Sequence, residues 1–143
     1  MSNLARDGMT SADLLGDLRR NPNTRTAVKN ADIVLFGVGG ADLNAGDDDF
    51  AAGSCGAEAC YAPVVTSFAR NFDAIVGTVR ALRGRSKHDG RCIDVLHAFN
   101  GVTGRANADK RGVLNHEHCC YPSAKGQQVM AELLFRTGPA PVR

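Results

Sequence analysis

The densest group of potentially reactive side chains lies near the end of the sequence, in Asn115-His116-Glu117-His118-Cys119-Cys120. Imidazole and thiolate groups are the ligands that Zn²⁺ prefers in proteins. However, their spacing matches no familiar zinc finger, and adjacent residues would have to fold around one ion. The competing interpretation is a loop in which Cys119 or Cys120 pairs with Cys92 or packs as an apolar residue. The sequence favours the loop, and we predict no resident metal or cofactor.

A hydroxyl group follows this cluster. Ser123 lies two residues after Tyr121 and five after His118, so it could be a nucleophile beside an imidazole base. It also follows Pro122 at the predicted start of the last helix, where serine usually caps the first turn. The His118 ring need not reach across Pro122, so capping is favoured, and His118, Tyr121 and Ser123 are the candidate catalytic residues.

The chain has five cysteines, and an odd count leaves at least one thiol unpaired within a monomer. Cys55 and Cys60 enclose a short loop of glycine, alanine and glutamate. They are either a small disulfide or two free thiols. Because the small residues between them make closure easy, the sequence favours the disulfide, which implies an oxidising compartment.

The acidic run Asp47-Asp48-Asp49 could offer carboxylate oxygens to Ca²⁺. It lacks the spaced pattern of a known calcium loop. The sequence therefore favours a solvated acidic face within a long loop, Gly39 to Ala62.

Two apolar runs and three helical patterns must position these side chains. Asp32–Val38 is rich in branched residues and ends at two glycines, which favours a strand buried on both faces. Cys92–Leu96 is a second such run, and apolar residues recur at helical spacing between Pro63 and Arg83. Strand, helix and strand in this order predict a parallel βαβ unit. A further helix is predicted from Thr10 or Ser11 to Arg20, with Leu14, Leu15 and Leu18 on one face. A last helix is predicted from Pro122-Ser123 to Gly138, with one apolar face formed by Val129, Met130, Leu133 and Leu134.

The composition excludes several classes of protein. The 143 residues are 43% hydrophobic, which is enough for the core of one domain, and the net charge is only +2. Positive charges are scattered, which argues against nucleic-acid binding. No apolar stretch approaches the roughly 18 residues of a membrane helix, and Met1–Thr10 lacks the apolar stretch of a signal peptide. We predict one domain, residues 1–138, with a flexible tail, 139–143.

Three segments together resemble sequence blocks of the SGNH/GDSL esterase–lipase family. Asn3–Leu15 resembles the second block, in which a glycine precedes a helix. Val34–Leu43 resembles the third, a buried strand followed by Gly-x-Asn-Asp-Leu, and His118–Gly126 resembles the fifth, Asp-x-x-His-Pro-Ser/Asn-x-x-Gly. Cys60-Tyr61 before a long helix also resembles secreted actinobacterial members.

This resemblance implies a reduced flavodoxin-like, SGNH hydrolase-type α/β fold of three layers with a small parallel sheet. It further implies hydrolysis of a small acyl-ester or lipid substrate and an extracellular or secreted location. In the family a serine of the first block attacks the ester, and a histidine of the fifth accepts its proton. The glycine of the second block and the asparagine of the third donate to the oxyanion. Those positions correspond here to Gly8 and to the group Gly40, Ala41 and Asp42.

The sequence departs from the family pattern at its catalytic positions. The Gly-Asp-Ser block is absent from these 143 residues. Ala41 stands at the oxyanion asparagine, His118 at the catalytic aspartate and Tyr121 at the catalytic histidine. The resemblance therefore implies a fragmentary or catalytically impaired ester hydrolase. The alternatives are a non-catalytic binding or interaction module on the same fold, and a metal-binding domain around His116–Cys120.

A small sheet also has a consequence for association. Two strands alone are marginally stable in water, and an unpaired edge invites another strand. We therefore expect a weakly stable monomer that associates through an exposed sheet edge.

Overall fold

The computed structural model describes residues 2–84, 98–99, 102–103, 110–114 and 122–137. The chain divides into two compact units, Met1–His88 and Asp89–Arg143. In the first unit the helices are α1 (Ser11–Arg20), α2 (Pro22–Asn30), α3 (Gly40–Ala51) and α4 (Ala57–Arg83). In the second unit α5 spans Ala124–Thr137. Within the described ranges no helix is long and apolar enough to cross a bilayer.

The boundaries of α1 follow from its capping residues, as the sequence predicts. Thr10 Oγ1 accepts a hydrogen bond from the Asp13 backbone N–H at 3.2 Å, and the Asp13 carboxylate accepts one from the Thr10 N–H at 3.1 Å. The Thr10 hydroxyl also donates to Asp13, and these bonds hold the pKa of that carboxyl below its usual value. At the other end Asn21 closes α1 and caps α2 by accepting from the backbone N–H groups of Asn23 and Thr24.

The core of the first unit forms where α1 and α2 pack on the C-terminal half of α4. Its buried members are Leu15, Leu18, Val28 and Ile75, and the Ile75 side chain is completely buried. The leucines lie on the face of α1 that the helical spacing predicts. Packing of amphipathic faces, rather than helix propensity, thus accounts for most of the stability of these short helices.

The prediction of an α/β fold with a small parallel sheet is wrong for the part of the chain that the structure describes. The described residues contain no strand, and their only β-type pairing is an isolated bridge between Leu114 and Pro122. Residues 32–38, predicted to be a strand buried on both faces, form a non-helical segment between α2 and α3. The second predicted strand, Cys92–Leu96, lies outside the described residues.

The reason for this error is visible in the burial of the 32–38 segment. Val34 and Val38 are half-buried against the helical core, whereas Ile33 and Leu35 are 58% and 69% exposed. This alternation is typical of an extended chain with one covered face. A continuous apolar run therefore does not imply two covered faces, and helices alone supply the core beneath it.

Residues 39–62 do not form the long loop that the sequence predicts. Most of this stretch is helical, in α3 and the first turns of α4, and Pro63 lies inside α4 instead of opening it. The two helices approach so closely that a Cβ atom on Gly46 would lie 2.7 Å from the Tyr61 ring. Phe50 also packs against Tyr61, with ring centroids 6.2 Å apart. Contacts between the two helices thus stabilise a stretch that looks like a loop from its glycines and aspartates.

The second unit has a smaller core of its own. Phe99 and Val113 are buried, and Val129 and Met130 of α5 pack against them. A Cβ atom on Gly126 would lie 2.1 Å from the Val113 carbonyl oxygen, so α5 needs glycine at this position. The predicted apolar face of the last helix is confirmed at Val129 and Met130.

Candidate functional site

A polar cluster around the buried Ser11 joins α1, α3 and α4. Ser11, the first residue of α1, is completely buried. Its backbone N–H donates to Asp42 Oδ2 at 2.8 Å, and its hydroxyl donates to Asp42 Oδ1. Asn71 Nδ2 of α4 donates to Ser11 Oγ at 3.0 Å. These three residues are named here the Ser11 cluster, and its contacts engage both the backbone N–H and the hydroxyl of Ser11.

The Ser11 cluster stabilises helix ends. Asp42 lies in the first turn of α3, and it also accepts from the first residue of α1. A carboxylate is favourable at both positions because unpaired N–H groups give a helix N-terminus a partial positive charge. An activated serine needs a base that takes its proton, usually an imidazole. The four histidines, His88, His97, His116 and His118, all lie outside the described residues.

The Ser11 cluster brings together two of the segments that resemble SGNH/GDSL blocks, residues 3–15 and 34–43. Their candidate donors are nevertheless not arranged around a free site. The Gly8 backbone N–H donates to Asp7 Oδ1 at 3.1 Å. Gly40 begins α3, and Ala41, beside Asp42, has no side-chain donor. An oxyanion would therefore have to displace the Asp7 carboxylate to reach Gly8.

Ser123 caps α5. Its Oγ accepts a hydrogen bond from the Gly126 backbone N–H at 3.1 Å and donates one to the Gly112 carbonyl oxygen at 2.7 Å. Its own N–H donates to the Val113 carbonyl oxygen. The hydroxyl is thus used in both directions by backbone groups. The other two candidate catalytic residues, His118 and Tyr121, lie outside the described residues, as does the cluster His116–Cys120.

We expect Ser123→Ala to destabilise the second unit by about 1 kcal/mol, because the first turn of α5 loses its cap. The rate of ester hydrolysis should not change. Urea denaturation, and hydrolysis of a short-chain aryl ester, measure the two effects. Ser67→Ala, at an exposed serine of α4, is the control for both. A measurable hydrolysis rate that disappears in Ser123→Ala alone would show that the hydroxyl reacts.

The predicted Cys55–Cys60 disulfide is present, with the two Cα atoms 5.6 Å apart. It links the turn after α3 to the first turn of α4, and Cys60 is buried. Beside it the Tyr61 hydroxyl donates to Asp47 Oδ1. This bond, with a smaller effect of burial, raises the pKa of Tyr61 above its ordinary value. Asp47, Asp48 and Asp49 are exposed, and no group of three potential metal ligands occurs among the described residues.

Thiol titration should reflect this disulfide. Since the chain has five cysteines and one disulfide takes two of them, the unfolded, unreduced protein should expose at most three free thiols. The fully reduced protein, titrated in the same denaturant, should expose all five. Five thiols before reduction would contradict the disulfide and the oxidising compartment that it implies.

Clefts in the described residues are shallow. One, of about 300 Å³, lies beside α1 and contains the Arg6–Asp17 ion pair, whose atoms are 2.7 Å apart. Another, of about 400 Å³, lies along α5 beside Phe135. Neither contains a nucleophile next to a base.

The 32–38 segment exposes apolar side chains on the surface of the first unit. Arg83 Nη2 donates to the Asp32 carbonyl oxygen at 2.6 Å, and the Phe36 ring packs on Phe72 of α4 with centroids 5.8 Å apart. Among the described residues, no hydrogen bond reaches the backbone of residues 33–38. The segment therefore combines exposed apolar side chains with backbone groups at residues 33–38 that no described residue pairs with.

Comparisons with known proteins do not test the resemblance to the SGNH/GDSL family, which stays a proposal. No family model matches the chain, and no curated protein and no solved structure matches it either.

Proposed function

We propose that this chain is a non-catalytic interaction module that binds an extended segment of a protein partner along residues 32–38. One observation carries the proposal: the 32–38 segment is rich in apolar residues and exposes Ile33 and Leu35 by more than half, and the backbone of residues 33–38 has no hydrogen bond to any described residue. Exposed backbone groups next to apolar side chains are what an added strand recognises.

The helical support of the segment favours this proposal. Val34, Phe36 and Val38 contact the first unit's core or α4, so one face of the segment is already fixed. A partner therefore meets a pre-positioned chain and loses less conformational entropy on binding. Proteins usually protect exposed edges with lysine or proline, and residues 33–38 contain neither.

Ester hydrolysis is the alternative function, supported by the Ser11–Asp42 contact between the two segments that resemble oxyanion blocks. The described hydroxyls argue against it. The Ser123 hydroxyl donates to a backbone carbonyl oxygen. The Ser11 hydroxyl donates to the Asp42 carboxylate, and no imidazole lies beside either serine among the described residues. A location outside the reducing cytoplasm belongs to the same proposal as the interaction module and is supported by the Cys55–Cys60 disulfide.

The test uses a fluorescently labelled peptide of alternating valine and threonine, which forms strands readily. Fluorescence anisotropy measures its binding to the purified chain. We expect saturable binding that Leu35→Asp weakens at least tenfold, because a charge then lies on the apolar face of the segment. Val65→Asp is the matched control, since Val65 is an exposed valine of α4, 52% accessible.

The outcomes separate the two functions. Binding that depends on Leu35 but not on Val65, with ester hydrolysis at background, supports the interaction module. Hydrolysis of an aryl ester above about 1 s⁻¹, the low end of ordinary enzymes, together with no peptide binding, would replace it with the enzymatic function.

A further inference from the structure

We infer that the partner strand is the 32–38 segment of a second copy of this chain, paired antiparallel so that Leu35 lies opposite Leu35 of the other copy. This inference rests on the proposed function and names the partner. In this register Ile33 of each copy lies opposite Gly37 of the other, and Val34 lies opposite Phe36.

The hydrogen bond from Arg83 indicates which edge pairs. In an extended chain both backbone groups of a residue point to one edge, and those of the next residue point to the opposite edge. Arg83 occupies the edge of Asp32. We therefore place the pairing on the opposite edge, where an extended chain presents the N–H and C=O groups of Ile33, Leu35 and Gly37. With Leu35 on the two-fold axis, all three residues form the pairs that exchange two hydrogen bonds each.

The outward face of the segment is complementary to itself in this register. Ile33 is 58% exposed, and a Cβ atom built on Gly37 meets nothing within 4 Å. The large side chain of one copy therefore lies over the open space above the glycine of the other. Cross-strand pairs of this kind are the units that stabilise a two-stranded contact. A two-fold axis repeats the fit at both ends, as an isologous interface requires.

Charge and support also favour a second copy. No ionisable side chain occurs from Ile33 to Ala41, so two copies bring no like charges together. Isolated pairs of strands are marginal in water, but packing against a helix stabilises them, and α4 provides such a helix in each copy. The contact is far smaller than a standard protein interface of about 1,600 Å². We therefore expect a weak dimer that depends on concentration.

Sedimentation equilibrium of the full chain measures this association, and paired variants test the register. Gly37→Ile fills the space that Ile33 of the other copy needs, and we expect it to weaken the dimer at least tenfold. Gly37 has an ordinary φ angle and open space at its Cβ position, so the monomer should tolerate the substitution. The double variant Ile33→Gly, Gly37→Ile exchanges the large and small partners, and we expect it to recover most of the lost association.

A cysteine cross-link gives a second measurement. Hydrogen-bonded antiparallel pairs have Cα atoms about 5.5 Å apart, within the range of a disulfide. Leu35→Cys should therefore form a covalent dimer on mild oxidation in greater yield than the unmodified chain, whose own cysteines set the background. Val65→Cys, at an exposed position of α4 outside the segment, should stay at that background.

The inference is supported if Gly37→Ile weakens the association and the double variant restores it. A chain that is monomeric at every accessible concentration overturns it, and so does a dimer that neither variant changes. The proposed function fails separately. A monomeric chain that still binds the valine–threonine peptide through Leu35 keeps the interaction module and loses only the second copy as its partner.

Discussion

Replacing Ile75 by alanine is expected to lower the free energy of unfolding of the first unit by about 2–5 kcal/mol. The Ile75 side chain is completely buried at the point of α4 where α1 and α2 meet it. Truncation removes buried methyl and methylene groups and leaves a cavity whose walls lose their contacts. Urea denaturation, followed by far-ultraviolet circular dichroism, measures the change.

Val65→Ala on the same helix is the matched control, since Val65 is half exposed and has no place in the core. We expect it to change the free energy of unfolding by no more than about 0.5 kcal/mol. Similar losses in the two variants would contradict a core centred on Ile75. Because Val34 and Val38 pack on the same core, Ile75→Ala should also weaken peptide binding at the 32–38 segment.

The helices with strong local signals could be predicted from the sequence. The predicted start of α1 at Thr10 or Ser11, its leucines and its predicted end at Arg20 all lie within one short stretch. The disulfide between Cys55 and Cys60 could also be predicted, because the two residues are only five positions apart. In both cases the deciding interactions are local, so the order of residue types contains the information.

The 32–38 segment could not be assigned in the same way. Its branched residues fit a buried strand, but strand preference largely reflects packing against neighbours that are distant in sequence. Ile33 and Leu35 are exposed here because the described helices cover only the other face. The α3 segment shows the converse error, since its helix depends on Gly46 lying against Tyr61, fifteen residues later.

The Ser11 cluster could not be predicted from the sequence either, because its members come from three separate helices. Ser11 and Asn71 are sixty positions apart, and the resemblance that places Asp42 in the oxyanion group does not indicate a contact with Ser11. The available signal was a second polar residue, Ser11, at a helix start that Thr10 already caps. A side chain in that position has no capping role of its own and is available for a contact from another element.

Asp42→Ala is therefore expected to lower the free energy of unfolding by about 2–3 kcal/mol, the cost of losing hydrogen bonds to a charged group while their donors stay buried. Ser11 is completely buried, so its N–H and hydroxyl lose the acceptor that compensates for their removal from water when the carboxylate is gone. Asp48→Ala, at an exposed aspartate of the same helix, should have an effect of less than about 0.5 kcal/mol. Chemical denaturation of both variants measures the difference.

The double variant Ser11→Ala, Asp42→Ala distinguishes a capping carboxylate from a catalytic one. It removes the buried hydroxyl together with its acceptor, so part of the stability lost in Asp42→Ala should return. A structural role predicts this coupling and no change in ester hydrolysis. If Asp42 instead contributed to an oxyanion site, its loss would lower hydrolysis whether or not Ser11 was present. If the effects of Ser11→Ala and Asp42→Ala on stability are coupled and neither substitution changes hydrolysis, the contact between residues 3–15 and 34–43 serves folding alone.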